Sequence, residues 1–233
     1  MVALLTKLLD LFFPKNCVFC GQENTMLCED CLATFEVAQD FHCLCQKPRK
    51  LTRPGKCQAC FNSSLAGLWT ALDYQNPRLK RVCQIFKYRF FAKELAQALS
   101  QLIVAHLQLS QQKPPAKALL VPIPASPRRL KWRGFNPAQE ITLCLGPALS
   151  LPVNTDCLIK IKETLPQVIL TPEQRQQNLK GAFQVRQREE IEGKTIILVD
   201  DVYTTGATMQ EAAKVLLTEG AKKVWGMVVA RSK

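Results

Sequence analysis

The sequence predicts an α/β fold, a parallel sheet flanked by helices and preceded by a small cysteine-rich module. Two apolar runs, at residues 119–123 and 196–199, have the composition of strands buried on both faces of a parallel sheet. Apolar residues at helical spacing follow the second run, and eight of the eleven cysteines lie before residue 61. With 233 residues and 47% hydrophobic content, the chain is long enough for one α/β domain and a small module. We place the module at residues 1–66 and the α/β domain at residues 67–233.

The segment 196–209 organises the α/β domain. Its strand ends in two acids, Asp200 and Asp201, and the small residues 204–208 that follow let backbone amides approach a ligand. A helix N-terminus after such a loop offers unpaired N–H groups and a positive dipole end to an anion. Open α/β sheets bind ligands at the carboxyl ends of their strands. We therefore expect the acids to accept hydrogen bonds from sugar hydroxyls, while the loop holds a 5′-phosphate. The alternative is an ordinary strand–turn–helix with Thr208 as N-cap.

The same segment, VDDVYTTGAT, resembles the phosphoribosyl-pyrophosphate (PRPP) motif of type I phosphoribosyltransferases. The resemblance implies that Asp200 and Asp201 bind the ribose hydroxyls and that residues 204–208 bind the 5′-phosphate. It also implies a Mg²⁺ ion held mainly by PRPP oxygens. The residues that it assigns to the PRPP site are Val199, Asp200, Asp201, Val202, Tyr203, Thr204, Thr205, Gly206, Ala207 and Thr208.

A basic segment follows the other buried run. Residues 128–133 carry Arg128, Arg129, Lys131 and Arg133 without an acid, just past the end of a strand. A departing pyrophosphate would need compensating positive charge at this place, so we assign that role to the three arginines. A solvated basic loop is the alternative. Prolines and Gly134 predict a fixed loop, and residues 136–137, Asn-Pro, predict the start of a helix.

The first cysteines have the spacing of a structural zinc site. Two C-x-x-C pairs supply four thiolates within fifteen residues, and each pair is a tight turn that places two sulfurs on one tetrahedral ion. Small modules lack a large core, so a metal would replace one energetically. The four predicted ligands are Cys17, Cys20, Cys28 and Cys31.

A second group of cysteines is less regular. Cys57 and Cys60 form a clear pair, but the other pair lies in the sequence His42-Cys43-Leu44-Cys45. Cys43 with Cys45 would have an unusual x1 spacing, whereas His42 with Cys45 has the common x2 spacing and an ordinary imidazole ligand. We therefore predict His42, Cys45, Cys57 and Cys60, and leave open whether the chain holds one zinc ion or two.

Charge and cysteine usage bear on partners and compartment. The net charge of +12 suggests anionic partners such as phosphates or nucleic acid, although solubility alone could explain it. Closely spaced cysteine pairs favour metal binding over a disulfide framework and therefore a reducing cytoplasm. The apolar residues 1–13 are too short to span a bilayer. We expect there a short helix that packs on the protein through Leu5, Leu8, Leu9 and Phe12.

Between these regions, residues 68–74 predict a strand, and Asn76-Pro77 predicts the start of a helix. The polar face of that helix and the residues after it are basic, with Tyr88, Phe90 and Phe91 interleaved. Basic residues with aromatic neighbours can bind single-stranded nucleic acid. A core helix with a solvated basic face explains the pattern equally well.

Motifs along the whole chain resemble the ComF/GntX family of competence-associated proteins. They are Val-Pro-Ile-Pro at residues 121–124, Arg-Gly-Phe-Asn at residues 133–136, Gln167 with Leu170, and Arg175 with the segment 178–183. The N-terminal cysteines fit the same family, which usually has Cys-x-x-Cys where this chain has His42-x-x-Cys45. The resemblance implies a type I phosphoribosyltransferase-like sheet, a zinc-ribbon-like module, and a cytoplasmic role in DNA uptake and natural transformation.

Three functions remain open at this point. The first is a ComF-like protein that binds PRPP or a related phosphate and handles single-stranded DNA, alone or with a competence helicase or uptake machinery. The second is a module that binds phosphate or DNA without turnover. The third is a phosphoribosyltransferase of nucleotide salvage, for which the sequence offers no base-recognition motif. Homodimers are common among such enzymes, but the sequence shows no interface.

Overall fold

A computed structural model describes residues 15–89, 92–163 and 178–232. The chain divides after Glu36 into two compact units, Met1–Glu36 and Val37–Lys233. Residues 37–66, with the second group of cysteines, belong to the second unit, and the predicted domain boundary after residue 66 stays a prediction. The helices are α1 (Glu29–Ala33), α2 (Pro77–Tyr88), α3 (Leu95–Leu109), α4 (Pro127–Arg133), α5 (Pro137–Leu149) and α6 (Ala207–Thr218). The strands are β1 (Phe41–His42), β2 (Lys50–Leu51), β3 (Leu68–Asp73), β4 (Leu119–Pro122), β5 (Leu158–Lys160), β6 (Phe183–Val185), β7 (Thr195–Tyr203) and β8 (Lys223–Arg231).

The core of the second unit is a four-stranded parallel sheet with the order β3-β8-β7-β4. Its central strand β7 begins in the predicted apolar run, whose residues 196–199 are completely buried. The sequence prediction of a parallel sheet flanked by helices is confirmed. Two short antiparallel pairs, β1 with β2 and β5 with β6, lie outside this sheet.

Strand β7 is longer than its neighbour β4, and this difference leaves the end of β7 open on one side. Its pairing with β4 ends at Pro122 opposite Val199, whereas its pairing with β8 continues to Tyr203 opposite Arg231. The last hydrogen bond between β4 and β7 runs from the N–H of Ile123 to the carbonyl oxygen of Val199, at 2.9 Å. The last residues of β7, including the acid pair, therefore project beyond the end of β4.

Most predicted helix starts are confirmed. Asn76 caps α2 by accepting hydrogen bonds from the backbone N–H groups of Arg78 and Leu79, and α5 begins at Pro137 after Asn136. The Asn136 side chain does not cap α5; its Nδ2 donates to the carbonyl oxygen of Ile123, 2.9 Å away. This bond ties the start of α5 to the end of β4.

The basic segment differs from its prediction, because it forms the short helix α4 and not a loop. Pro127 stands at the first position, where its missing N–H costs nothing, and Gly134 ends the helix with φ of +79°. These are the ordinary start and stop signals of a helix, and they enclose the arginines within two turns.

Several expectations fall outside the described residues. These are the N-terminal helix with Leu5, Leu8, Leu9 and Phe12, the aromatic residues Phe90 and Phe91, and the motif residues Gln167, Leu170 and Arg175. Within the ranges that the structure does describe, no helix is long and apolar enough to cross a lipid bilayer.

Candidate functional site

A cavity of about 640 Å³ lies at the carboxyl ends of β4 and β7. Pockets for small ligands typically occupy about 300–1,000 Å³, so its size suits a nucleotide-sized molecule. Its walls come from the end of β7, from the loops after β4 and β7, from the helices α2, α4, α5 and α6, and from Lys160 at the end of β5. The polar residues that line it include Lys87, Ser126, Arg129, Arg133, Asn136, Lys160, Asp200, Asp201, Thr204 and Thr208.

The acid pair is held by charge and by backbone. Asp201 is only 6% exposed, and its Oδ2 lies 2.6 Å from Nζ of Lys87 on α2. The backbone N–H of Asp201 donates to Oδ1 of Asp200 at 2.9 Å. The lysine therefore neutralises one carboxylate, while Asp200 lies on the cavity wall without an ion pair among the described residues.

Burial and neighbouring charges shift the pKa values of Asp200 and Lys87. Burial raises the pKa of Asp200 to about 7, the negative charge of Asp201 acts in the same direction, and Lys87 acts against it. Burial lowers the pKa of Lys87, but the charge of Asp201 and the hydrogen bond between them outweigh it, so the pKa lies above its ordinary value. Lys87 is thus a permanent cation, and Asp200 is a carboxyl that gains or loses a proton near neutral pH.

The loop between β7 and α6 has the form of an anion cradle. Gly206 precedes α6 with φ of +79°, and a Cβ added there would lie 2.1 Å from the hydroxyl oxygen of Tyr203. Only glycine fits this position, because a side chain would meet both the unfavourable φ and the tyrosine ring. The first N–H groups of the twelve-residue helix α6 have no partner within the helix itself, and Thr204, Ala207 and Thr208 line the cavity beside them.

The basic helix α4 contributes Arg129 and Arg133 to the cavity. Burial lowers the pKa of the Arg133 guanidinium, and the negative charge of Asp201 opposes this effect. Arginine remains charged at neutral pH because its ordinary pKa is so high. Arg128 is not among the lining residues; its backbone N–H donates to Oε1 of Glu163 at 3.0 Å.

Most of the residues assigned to the PRPP site meet in this cavity. Asp200, Asp201, Val202, Tyr203, Thr204, Gly206, Ala207 and Thr208 line it together with Arg129 and Arg133. Val199 is buried within β7, and Oγ1 of Thr205 accepts a weak bond from the N–H of Ala207 at 3.5 Å. Neither of these two residues, nor Arg128, lines the cavity.

Two cavity lysines were not assigned to the site from sequence. Lys87 belongs to the basic face of α2, where its spacing does not distinguish it from solvated neighbours. Lys160 lies at the end of β5 and has no motif around it. Burial lowers the pKa of Lys160 to about 8, and the charge of Arg129 acts in the same direction. A bound anion would favour its protonated form.

The first unit holds one group of four thiols. The Sγ atoms of Cys17, Cys20, Cys28 and Cys31 all lie within 4.8 Å of one another, and Cys20 and Cys28 are 3.5 Å apart. Zn–S bonds of about 2.3 Å in a tetrahedron separate the sulfurs by roughly 3.8 Å. Gly21 turns the chain after Cys20 with φ of +80°. The four predicted residues therefore fit one structural zinc ion.

The second group corrects one predicted ligand. The structure brings together the Sγ atoms of Cys43, Cys45, Cys57 and Cys60, again within 4.8 Å, and His42 is not part of the group. The reason is the strand alternation of side chains. His42 pairs with Lys50 in the ladder of β1 and β2, and Cys43 continues that ladder by donating its N–H to the carbonyl oxygen of Arg49. The sulfur of Cys43 therefore lies on the opposite side from the imidazole.

Side chains of the sheet domain hold the second group of cysteines. The Arg231 guanidinium, at the end of β8, donates to the carbonyl oxygens of both Cys43 and Cys45 and lies 5.2 Å from the ring centre of Tyr203. Near Cys60, the Gln210 side chain on α6 bonds to the backbone N–H of Ser64. The loop between β7 and α6 and the second group of thiols therefore share contacts with the same side chains.

We predict that Arg231→Lys weakens zinc binding at the second group of cysteines and not at the first. A lysine cannot bridge two carbonyl oxygens as the guanidinium does, and loss of such an outer contact typically costs about 10–100-fold in metal affinity. Zinc release to a chelator, followed over time, should show one ion leaving at least about 10-fold faster.

Arg188→Lys, at an exposed residue paired with Glu192, is the matched control and should release zinc as the wild type does. Equal release rates for Arg231→Lys and wild type would contradict the proposed support.

Replacing Asp200 or Asp201 by asparagine should change the free energy of unfolding in opposite directions. Because the folded state holds the Asp200 proton up to about pH 7 while the unfolded state loses it near pH 4, this group lowers stability as pH rises through that window. Asp200→Asn should raise the free energy of unfolding at pH 8 by about 1–3 kcal/mol, with a smaller gain at pH 5. Asp201→Asn leaves Lys87 buried without its counter-ion, so it should lower that free energy by about 1–3 kcal/mol.

Urea unfolding of both variants at pH 5 and pH 8 measures these changes. If Asp200→Asn lowers the free energy of unfolding at pH 8, ionised Asp200 does not destabilise the folded state, and the prediction is wrong.

Comparison with known proteins shows to which family this chain belongs. A family model described as phosphoribosyl transferase domain matches residues 139–233. The DNA utilization protein YhgH of Escherichia coli (strain K12) is 32% identical over 161 residues, which cover 67% of this chain and 68% of that protein. Competence protein ComFC of Bacillus subtilis is 32% identical over 161 residues, covering 67% and 61%. Competence protein F of Haemophilus influenzae is 34% identical over 114 residues, covering 48% of this chain and half of that protein.

Among solved structures, an HPRT in which an invariant aspartic acid is replaced by glutamic acid matches with 14% identity and a TM-score of 0.32. The match covers 58% of this chain and 65% of that one. The assignment of the fold rests on the parallel sheet and on the family model. The chain belongs to the ComF family, and its α/β part has a type I phosphoribosyltransferase-like fold.

Proposed function

We propose that this protein binds PRPP, or a related sugar phosphate, in the cavity at the end of β7. The observation that carries the proposal is that an acid pair, an anion cradle and two arginines face one space of suitable size. Each matches one part of PRPP: Asp200 and Asp201 the ribose hydroxyls, the loop at Gly206 the 5′-phosphate, and Arg129 with Arg133 the pyrophosphate.

Charge supports the proposal. Lys87 pairs with Oδ2 of Asp201 and neutralises that carboxylate, so the two acids together can accept hydrogen bonds from a ligand without two unbalanced charges. Arg129, Arg133 and Lys160 also line the cavity and bring positive charge to it, which suits a pyrophosphate. If turnover occurs, the bond between ribose C1 and the pyrophosphate oxygen breaks, and an acceptor forms a new bond to C1. Mg²⁺ bound to PRPP oxygens would add positive charge at the leaving group.

The biological role that we propose is the handling of single-stranded DNA in the cytoplasm during DNA uptake. Relatives named for competence and for DNA utilization support it. A net charge of +12 is suited to a polyanionic partner, and reduced C-x-x-C thiols suit a reducing compartment. A competence helicase, other uptake machinery and a second copy of this chain remain candidate partners.

Calorimetric titration of PRPP into the zinc-replete protein, with and without Mg²⁺, tests the binding site. We expect Mg²⁺-dependent binding by the wild type and its loss in Asp200→Asn/Asp201→Asn, because amides do not replace two carboxylates as acceptors. Gly206→Ala should also abolish binding, because a Cβ there meets the Tyr203 hydroxyl.

Gly193→Ala is the matched control, since Gly193 has a similar φ of +69° but nothing within 4 Å of an added Cβ. It should bind as the wild type does, with a cost in stability alone. Absence of PRPP binding by the wild type would refute the assignment of the pocket.

PRPP affinity should also fall as pH rises through about 8. Lys160 loses its positive charge there, because burial and Arg129 lower its pKa to about 8, although Glu163 and Asp200 oppose that shift. Lys160→Met should bind more weakly at pH 7 and show little further change up to pH 9. A variant that keeps the full decline of the wild type would show that another group causes it.

A further inference from the structure

Two large aromatic rings at the cavity are exposed to solvent. Tyr88, the last residue of α2, is 63% exposed, and Trp132 in α4 is 61% exposed. Their ring centres are 5.7 Å apart with 62° between the planes, and both residues line the cavity. An edge-to-face contact covers the face of one ring only, and both side chains remain more than half exposed. Exposed rings that share a cavity commonly mark a ligand surface.

A cation accompanies the pair. The Arg133 guanidinium lies 5.5 Å from the ring centre of Tyr88, and its Nε is buried with no hydrogen-bond partner among the residues that the structure describes. A buried N–H without a partner is costly, and a bound anion would supply one. Arg129, also on the cavity wall, and the exposed Lys131 add positive charge on the same helix.

This combination favours one chemistry. A flat aromatic ligand stacks on a tryptophan or tyrosine face, and adjacent arginines bind phosphate. An unpaired nucleotide has both groups, a base and a phosphate, whereas the bases of a duplex are already stacked on one another. A purely apolar partner would leave the arginines without counter-ions.

We propose that Tyr88 and Trp132 form a stacking site for an unpaired nucleobase of single-stranded DNA, whose backbone phosphates bind Arg129 and Arg133. The proposal deepens the DNA-handling part of the proposed function, on which it rests, and it shares Arg129 and Arg133 with the proposed PRPP site. The DNA strand would then be recognised by two aromatic side chains that line the cavity at the end of β7.

Intrinsic fluorescence reports directly on this site. The chain has three tryptophans; Trp69 is 3% exposed and is stacked on the partly buried Trp225 at 4.6 Å, so Trp132 is the exposed fluorophore. Titration of the zinc-replete chain with an oligothymidylate of about 12 nucleotides, within the range of known single-strand sites, should quench emission from Trp132. Anisotropy of the labelled oligonucleotide measures affinity independently of that signal.

The expected effects follow from stacking, which is lost by truncation and kept by another ring. Trp132→Ala and Tyr88→Ala should each weaken oligothymidylate binding by about 10–100-fold. Trp132→Phe should retain most of the affinity and lose the quenching. Phe61→Ala is the matched control, since Phe61 is 72% exposed with Lys56 5.4 Å from its ring centre and does not line the cavity.

Further titrations separate this proposal from the proposed function. If the wild type binds oligothymidylate and Trp132→Ala binds it equally well, the stacking site is wrong and DNA handling stands. If a duplex binds as tightly and with the same dependence on Trp132, the preference for unpaired bases is overturned.

If the wild type binds no oligothymidylate, both the stacking site for DNA and the proposed DNA handling fail. Thymidine monophosphate added alone then shows whether the rings accept a free nucleotide. Calorimetry of Trp132→Ala with PRPP, where we expect a much smaller effect than on DNA, tests the sugar-phosphate site separately.

Discussion

The ion pair between Lys87 and Asp201 is the interaction on which the site depends. A carboxylate buried at the end of a central strand is costly unless a cation neutralises it. Lys87 supplies that charge from α2, at 2.6 Å. The pair ties α2 to the end of β7, and the neighbouring Asp200, whose pKa is raised mainly by burial, lies on the cavity wall.

The ends of strands β7 and β8 connect the loop at Gly206 with the second group of cysteines. At their common end, Tyr203 lies opposite Arg231, and the tyrosine ring lies beneath the turn at Gly206. The guanidinium of Arg231 in turn donates to the carbonyl oxygens of Cys43 and Cys45 in the second group of cysteines. The second group of thiols and the anion cradle at Gly206 therefore share one set of contacts.

The short helix α4 presents both cations and an aromatic ring to one cavity. One helical turn after the cavity-lining Arg129 come Trp132 and Arg133, of which Trp132 is exposed beside Tyr88. Since residues three or four apart share a face of a helix, a single short helix can present cations and an aromatic ring to the same space. The same residues in an extended loop would alternate in direction.

The sequence by itself determined the parallel sheet, the acid pair, the glycine turn and the first group of cysteines. Each of these is a local pattern: apolar β-branched runs, two acids at a strand end, a small-residue loop before a helix, and C-x-x-C spacing. Only the tertiary structure decided that Lys87 and Lys160 face the cavity and that Arg128 does not line it. It also decided that Cys43 and not His42 joins the second group, and that Tyr88 meets Trp132. These outcomes depend on which face of an element packs inward and on which residues from distant segments meet, and neither is encoded in the spacing of neighbouring residues.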